Sequence, residues 1–218
     1  MTLLPATPEN LERAAACLRA GGVVAFPTET VYGLAANAFD ARAVARVFEI
    51  KARPEFDPLI VHVAGEAMVA RVAAEISPRA RRLMQRFWPG PLTIVVPKQT
   101  ALPELVTSGL PTVAVRMPAH PAARELIERA GVPLAAPSAN PFGRLSPTRA
   151  AHVERMLGDR VDVIIDGGPT AHGLESTIVE LEPVPAILRP GAISREELED
   201  ALGEPVSALP PAEARPRA

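Results

Sequence analysis

The chain has 218 residues, of which 48% are hydrophobic and 22% are charged, and this balance is that of a folded globular protein with a core of its own. A formal net charge of −2 excludes a protein that is drawn to nucleic acid by a global basic field, so any RNA contact needs a local patch. The single cysteine, Cys17, excludes an internal disulfide, and no Cys/His cluster has the spacing of a zinc site, so no metal site is predicted.

Helical spacing and capping residues predict seven helices. Thr7 and Pro8 begin the first, whose apolar face recurs at Leu11 and Leu18, and Gly21-Gly22 ends it. Asp40 caps the second helix. The others are predicted at 66–75, 77–87, 119–130, 148–157 and 194–202.

Short apolar runs predict the strands of a sheet. They lie at 23–26, 59–63, 92–96, 112–116, 133–136, 161–165, 176–181 and 186–189. Strands alternate with helices, but some neighbouring strands have no helix between them, which favours a mixed sheet. The sequence therefore predicts an α/β fold: a single domain over 1–203, with a twisted mixed sheet flanked by helices. Residues 204–218 are rich in proline and alanine, and we expect them to form a disordered tail.

The chain gives no sign of export or of membrane insertion. Its first residues lack a basic segment followed by a long apolar run, and no apolar stretch is long enough to cross a bilayer. We therefore expect a cytoplasmic protein that has no membrane partner.

Two early segments carry polar residues that suit a small anionic ligand. Lys51 and Arg53 are one residue apart at the end of a predicted helix. An ammonium beside a guanidinium suits a polyphosphate, although the same pair in a last turn would also complement the helix dipole. Thr28, Glu29 and Thr30 follow the first buried strand, where an ordinary turn is the alternative interpretation.

Further polar residues stand near other strand ends. His62 lies in an apolar strand, where a lone histidine is more often a core residue than a ligand. Arg116 ends a strand and is either a surface residue or a bidentate clamp for a carboxylate. Small polar residues at 137–140 suit an anion through backbone donors. Taken singly, this segment and the segments 175–177 and 189–191 are unremarkable.

Taken together and in this order, the motifs resemble those of the YrdC-like family of threonylcarbamoyl-AMP synthases. The resemblance covers about residues 8–200 and depends on five segments that occur together. They read Phe26-Pro27-Thr28-Glu29-Thr30-Val31-Tyr32-Gly33-Leu34, Lys51-Ala52-Arg53-Pro54, Pro137-Ser138-Ala139-Asn140, Ser176-Thr177-Ile178-Val179 and Arg189-Pro190-Gly191.

The resemblance implies a nucleotidyltransferase that joins L-threonine, bicarbonate and ATP into threonylcarbamoyl-adenylate and releases pyrophosphate. It implies Mg²⁺ bound with the ATP, and a large cationic cavity within a twisted α/β sheet. The product would serve the threonylcarbamoyl modification of the adenosine 3′ of the anticodon in ANN-decoding tRNAs. Partners would be the downstream proteins that transfer the threonylcarbamoyl group to tRNA, with a weak tRNA contact. The resemblance is to the short form, which lacks the C-terminal domain that some relatives carry.

The matching motif positions imply two groups of site residues. Lys51 and Arg53 are the expected catalytic residues, because they would stabilise charge on the phosphates. The implied L-threonine site consists of Thr30, His62, Arg116, Ala136 and Ser176. The implied ATP site consists of Lys51, Arg53, Asp57, Ser138, Asn140, Ser146 and Arg189.

One of these positions departs from the family pattern. Asp57 stands where the family usually has asparagine before proline. A carboxylate there would repel a phosphate unless a metal or Arg53 intervenes.

Two other functions stay open at this point. An RNA-binding module would use the arginines at 79, 81, 82 and 86, which otherwise form a solvated helix face. A hydrogenase-maturation carbamoyltransferase contains a similar domain, but its further segments would need more residues and more cysteines than this chain has.

Overall fold

The computed structural model describes residues 2–208, and these form eleven strands and eight α-helices. The strands are β1 Thr2–Pro5, β2 Val24–Phe26, β3 Gly33–Asn37, β4 Ile60–His62, β5 Leu92–Pro97, β6 Thr112–Arg116, β7 Leu134–Ala135, β8 Val163–Asp166, β9 Thr177–Glu180, β10 Ala186–Arg189 and β11 Ser207–Ala208. The helices are α1 Pro8–Arg19, α2 Ala41–Lys51, α3 Glu66–Val72, α4 Pro78–Phe87, α5 Glu104–Thr107, α6 Pro121–Ala130, α7 Ala150–Leu157 and α8 Arg195–Leu202.

The strands join into one sheet in the order β1-β8-β2-β3-β7-β4-β6-β5-β9-β10-β11. The sheet is mixed, as predicted: β4 and β6 pair in parallel, whereas β5 and β6 are antiparallel. The parallel register sets His62 opposite Arg116, at the ends of β4 and β6. Two residues that are far apart in the sequence therefore become neighbours in the sheet.

Two apolar cores hold helices against the sheet. Leu18 of α1 and Leu126 of α6 are fully buried in the smaller core, and Val47 of α2 is fully buried in the larger one. Neighbouring strand residues point to opposite cores: Ile164 belongs to the larger and Ile165 to the smaller. The sheet is therefore covered by helices on both faces, as expected of an α/β protein.

Several helix ends confirm the sequence prediction through their caps. The Thr7 hydroxyl accepts a hydrogen bond from the Asn10 amide at 3.4 Å, and the Asp40 carboxylate accepts one from the Arg42 amide at 2.9 Å. Ser194 forms a complete capping box with Glu197 at the start of α8.

Other element predictions need correction. Residues 33–37 form β3, which pairs antiparallel with β2, so the segment 27–32 connects two strands of a hairpin and not a strand to a helix. Helix α3 ends at Val72, three residues before the predicted end. Among the described residues, no helix is long and apolar enough to cross a membrane.

The predicted tail is partly ordered. Residues 204–208 continue from α8, and Ser207–Ala208 pairs in parallel with β10. The Glu204 carboxylate forms an ion pair with Arg79 at 2.7 Å, and Val206 is buried. The prediction of disorder is therefore wrong for these five residues, since apolar burial and an ion pair anchor them. The rest of the predicted tail, 209–218, lies outside the described residues.

Candidate active site

A cavity of about 580 Å³ opens among the strand ends. Nine of the twelve predicted site residues line it: Thr30, Arg53, Asp57, His62, Arg116, Ala136, Ser138, Ser176 and Arg189. Lys51, Asn140 and Ser146 are not part of the lining. The fold thus brings most of both predicted groups to one cavity, from six different parts of the chain.

The guanidinium of Arg116 uses only part of its hydrogen-bonding capacity within the protein. It is 3% exposed, and Nη2 donates to Glu29 Oε1 at 2.7 Å while Nη1 donates to Thr30 Oγ1 at 2.9 Å. Its Nε donates to the Gly90 carbonyl at 3.3 Å. A guanidinium has five N–H groups, so each terminal nitrogen keeps one uncommitted donor. Such a fork suits a bidentate carboxylate.

His62 is a buried neutral base beside this fork. Burial, reinforced by the nearby Arg116 charge, lowers the pKa of His62 to about 3, against a weaker opposing effect of the Ile60 backbone. Its Nδ1 has no hydrogen-bond partner within residues 2–208, and its ring packs edge-on against Phe26 with centroids 5.8 Å apart. At neutral pH this imidazole offers a hydrogen-bonding group and no charge.

The Ser176 side chain forms hydrogen bonds with two other side chains at the cavity. Its hydroxyl exchanges a hydrogen bond with Thr93 at 2.8 Å and accepts one from Arg189 Nη2 at 3.0 Å. The segment around Arg189 approaches so closely that a Cβ on Gly191 would lie 2.4 Å from the Glu175 carbonyl. Only glycine fits there, and this explains its place in the Arg-Pro-Gly motif.

Arg53 reaches the cavity because the chain turns sharply after α2. Ala52 has φ 50°, a left-handed conformation that is uncommon for a residue with a side chain. Arg53 then pairs with the Asp57 carboxylate at 2.8 Å, and its Nε donates to the Asp57 carbonyl at 3.0 Å. Arg53 is thus the cation that neutralises the carboxylate at the position that departs from the family pattern.

Lys51 lies behind the cavity wall. It is 1% exposed, and its Nζ donates to the carbonyl oxygens of Ser138 and Asn140. Burial lowers the pKa of Lys51 to about 7, as does the charge of Arg53, whereas Glu175 and Asp57 oppose the shift. In this arrangement Lys51 holds the 138–140 segment against the end of α2, and its contact with the phosphates stays a prediction.

Asn140 and Ser146 also act on the wall of the cavity. The side-chain amide of Asn140 donates from Nδ2 to the Arg144 carbonyl at 2.6 Å, which closes the loop that follows the 138–140 segment. The Ser146 hydroxyl donates to Glu175 Oε1 at 2.8 Å. Both residues therefore shape the predicted nucleotide end through protein contacts.

Positive and negative charges balance in the lining formed by the described residues. Its arginines are Arg53, Arg116 and Arg189, and its carboxylates are Asp57, Glu175 and Glu180. Each arginine also pairs with an acid: Arg53 with Asp57, Arg116 with Glu29 and Arg189 with Glu175. The expected cationic cavity is not confirmed.

Glu29 and Glu175 are the site residues that the sequence did not assign. Glu29 stands inside the first quoted motif, directly before Thr30, and Glu175 immediately precedes the motif that begins at Ser176. The signal that could have found them is a carboxylate set within or directly beside a motif of anion-binding donors, which has to pair with a cation in the fold.

The described part of the chain holds no cluster of metal-ligating side chains, and the alternative RNA patch is partly engaged in contacts within the protein. No group of three or more His, Cys, Asp or Glu side chains there could hold a metal ion. In the predicted RNA patch, Arg79 pairs with Glu204 and Glu182, at 2.7 and 3.2 Å, and Arg82 donates to the Leu202 carbonyl at 2.6 Å. Two of its four arginines are therefore engaged within the protein.

A protein-family model and several known proteins match this chain. The model is that of the Sua5/YciO/YrdC domain, whose description reads "Telomere recombination", and it matches residues 16–191. A Pyrococcus abyssi protein named threonylcarbamoyl-AMP synthase is 50% identical over 210 residues, and a Bacillus subtilis protein of the same name is 50% identical over 196 residues. These matches cover 94% and 89% of this chain, but only 62% and 57% of the two relatives.

A solved structure has the same fold. The crystal structure of P. abyssi Sua5 complexed with L-threonine superposes with a TM-score of 0.95 at 46% sequence identity. The match covers 99% of this chain and 64% of the other. The chain thus spans about three fifths of the length of these relatives.

Proposed function

This chain belongs to the Sua5/YciO/YrdC family, and from this we propose that it is an L-threonylcarbamoyladenylate synthase. It condenses L-threonine, bicarbonate and ATP, and it releases pyrophosphate. The observation that carries the proposal is that one cavity holds two hydrogen-bonded groups of side chains. Arg116 with Glu29 and Thr30 forms one, here called the Arg116 end, and Arg189 with Glu175 and Ser146 forms the other, here called the Arg189 end.

The Arg116 end suits the amino acid. Its two uncommitted N–H groups can receive the carboxylate of threonine, while Glu29 and Thr30 hold the guanidinium in place. Glu29 Oε2 and His62 Nδ1 are buried polar atoms that have no partner within residues 2–208. A buried polar group without a partner is costly, so these atoms suit the polar groups that a ligand brings.

The reaction needs no protein nucleophile. The free amine of threonine attacks the carbon of bicarbonate, a C–N bond forms, and water leaves, which yields a carbamate. A carbamate oxygen then attacks the α-phosphorus of ATP, and the bond to pyrophosphate breaks. The protein contributes by holding the reactants together and by stabilising the charge on the phosphates.

The Arg189 end suits the nucleotide. Arg53 and Arg189 supply guanidinium groups, and Ser138 adds a small polar group to the wall between them. We propose Mg²⁺ as part of the substrate, carried on the phosphates of ATP, because this ion keeps most of its water and binds proteins through few carboxylates. Asp57 and Glu175 are the carboxylates at this end that could approach such an ion or its water.

The proposed product is an activated carbamate that serves tRNA modification in the cytoplasm. The proteins that transfer the threonylcarbamoyl group to the adenosine 3′ of the anticodon are the proposed partners, with a weak tRNA contact. The curated relatives that match this chain carry the name of this synthase. This agreement supports the synthase activity, on which the proposed role in tRNA modification depends.

Pyrophosphate release tests the proposal. With MgATP present, we expect release to require both L-threonine and bicarbonate, since the carbamate that attacks ATP forms from these two. Initial rates should be measured with each component omitted in turn, and with L-serine or L-valine in place of L-threonine. If folded protein released pyrophosphate at a rate that did not depend on L-threonine, the synthase would be refuted. Another carbamoyl acceptor or RNA binding would then be favoured.

A further inference from the structure

Glu175 occupies the point at which several proposed phosphate donors meet. Its Oε2 accepts from Arg189 Nη1, and its Oε1 accepts from the Ser146 hydroxyl at 2.8 Å. Burial alone would raise the pKa of the Glu175 carboxyl, but Arg189, then Ser146 and Ser138, and the charge of Lys51 hold that pKa below its usual range. The carboxylate is thus bound as an external anion would be.

The rest of Arg189 is fixed independently of this carboxylate. Its Nε and Nη2 donate to the Ser176 carbonyl at 3.1 and 3.0 Å, and Nη2 also donates to the Ser176 hydroxyl at 3.0 Å. These contacts keep the guanidinium at the cavity wall when the partner of Nη1 changes. Nη1 therefore can pass from one anion to another without moving the arginine.

Glu175 is more exposed to solvent than Glu29, the carboxylate that pairs with Arg116. The Glu175 side chain is 34% exposed, whereas that of Glu29, on Arg116, is 10% exposed. The Glu29 side chain is almost fully buried, so separating it from Arg116 would leave an unpaired buried charge, which is costly. Glu175 can rotate towards solvent, where water replaces its lost partners.

We propose that Glu175 is an internal competitor for the phosphate donors of the nucleotide end. Its carboxylate accepts the hydrogen bonds of Arg189 Nη1 and Ser146 in the absence of ligand, and a polyphosphate displaces it on binding. Glu175 thereby sets how tightly ATP is held and how readily pyrophosphate leaves. The inference rests on the proposed function, in that it takes this end of the cavity as the ATP site.

The direction in which the affinity for ATP and for inorganic pyrophosphate changes when Glu175 is replaced tests this role. In EDTA, so that no metal bridges the carboxylate to the ligand, we expect Glu175→Gln to bind pyrophosphate at least about tenfold more tightly than the natural chain. A residue that only supports the site would weaken binding when replaced. Isothermal titration calorimetry gives the dissociation constants, and circular dichroism checks the fold of each variant.

Glu180→Gln is the matched control. Glu180 lines the same cavity and forms no ion pair within residues 2–208. Its replacement changes the net charge by the same amount, so we expect pyrophosphate affinity to change less than about threefold. Glu175→Ala is a second variant that removes the carboxylate, and we expect it to bind more tightly as well.

The outcomes separate this inference from the proposed function. Tighter binding by both Glu175 variants, but not by Glu180→Gln, supports the competitor role. Unchanged or weaker binding by the Glu175 variants overturns it, provided that the natural chain binds ATP and Arg189→Ala does not. A natural chain that binds neither ATP nor pyrophosphate, with or without Mg²⁺, would instead refute the proposed nucleotide site.

Discussion

Replacing Arg116 by lysine is expected to raise the L-threonine concentration needed for half-maximal pyrophosphate release by about ten- to a hundredfold. Lysine keeps a positive charge for Glu29 but loses the planar fork, so the substrate carboxylate forfeits at least one charge-assisted hydrogen bond. Initial rates over a range of threonine concentrations measure this effect. The KM for ATP should change by less than about threefold, because Arg116 lies at the other end of the cavity.

The same exchange at the other end is the control for this prediction. Arg53→Lys should raise the KM for ATP and leave that for threonine nearly unchanged, since Arg53 lines the nucleotide end. The free energy of unfolding of Arg116→Lys should fall by only about 1–2 kcal/mol, because the pair with Glu29 is retained although the Gly90 carbonyl loses its donor. An unchanged threonine requirement in folded Arg116→Lys would remove Arg116 from the threonine site.

Lys51→Met is expected to lower the free energy of unfolding by about 2–4 kcal/mol and to weaken ATP binding as a consequence. Methionine fills a similar volume but leaves the buried carbonyls of Ser138 and Asn140 without the donor that now serves both. Those carbonyls belong to the segment that forms the nucleotide wall. Urea unfolding measures the stability, and calorimetric titration with ATP measures the binding.

Lys98→Met is the matched control, because Lys98 is the other lysine of the chain. It pairs with the exposed Glu104 and donates to the Thr107 hydroxyl at 3.3 Å. Its replacement leaves no buried carbonyl without a donor and should cost about 1 kcal/mol. If Lys51→Met lost ATP binding with its stability unchanged, Lys51 would contact the phosphates directly, and its assignment to the wall would be wrong.

Much of the fold follows from local patterns in the sequence. Thr7, Asp40 and Ser194 begin helices because their side chains accept hydrogen bonds from first-turn amides, which needs only neighbouring residues. The strand β3 escaped prediction, because Gly33 reads as the end of a turn. Its strand conformation comes from pairing with β2 and from packing against Phe26, where a Cβ would lie 2.7 Å from the ring.

The sequence indicated which residue types the site needs, but not which side chains would pair with one another. Arg116 and Glu29 are 87 residues apart, and Ser146 and Glu175 are 29 apart, so no local pattern couples them. Lys51 shows the consequence most clearly. A lysine beside an arginine suggests a phosphate site, yet the path of the 138–140 segment places two carbonyl oxygens on its amine. Tertiary contacts decide which cations face the cavity.

Identification of the product tests the central claim most directly. The chain should be incubated with MgATP, L-threonine and carbon-13 bicarbonate, and the adenylates analysed by mass spectrometry. The account predicts a threonylcarbamoyl-adenylate that carries one carbon-13 atom and is absent when threonine is omitted. Pyrophosphate release without this adenylate, or an adenylate that carries no label, would contradict it.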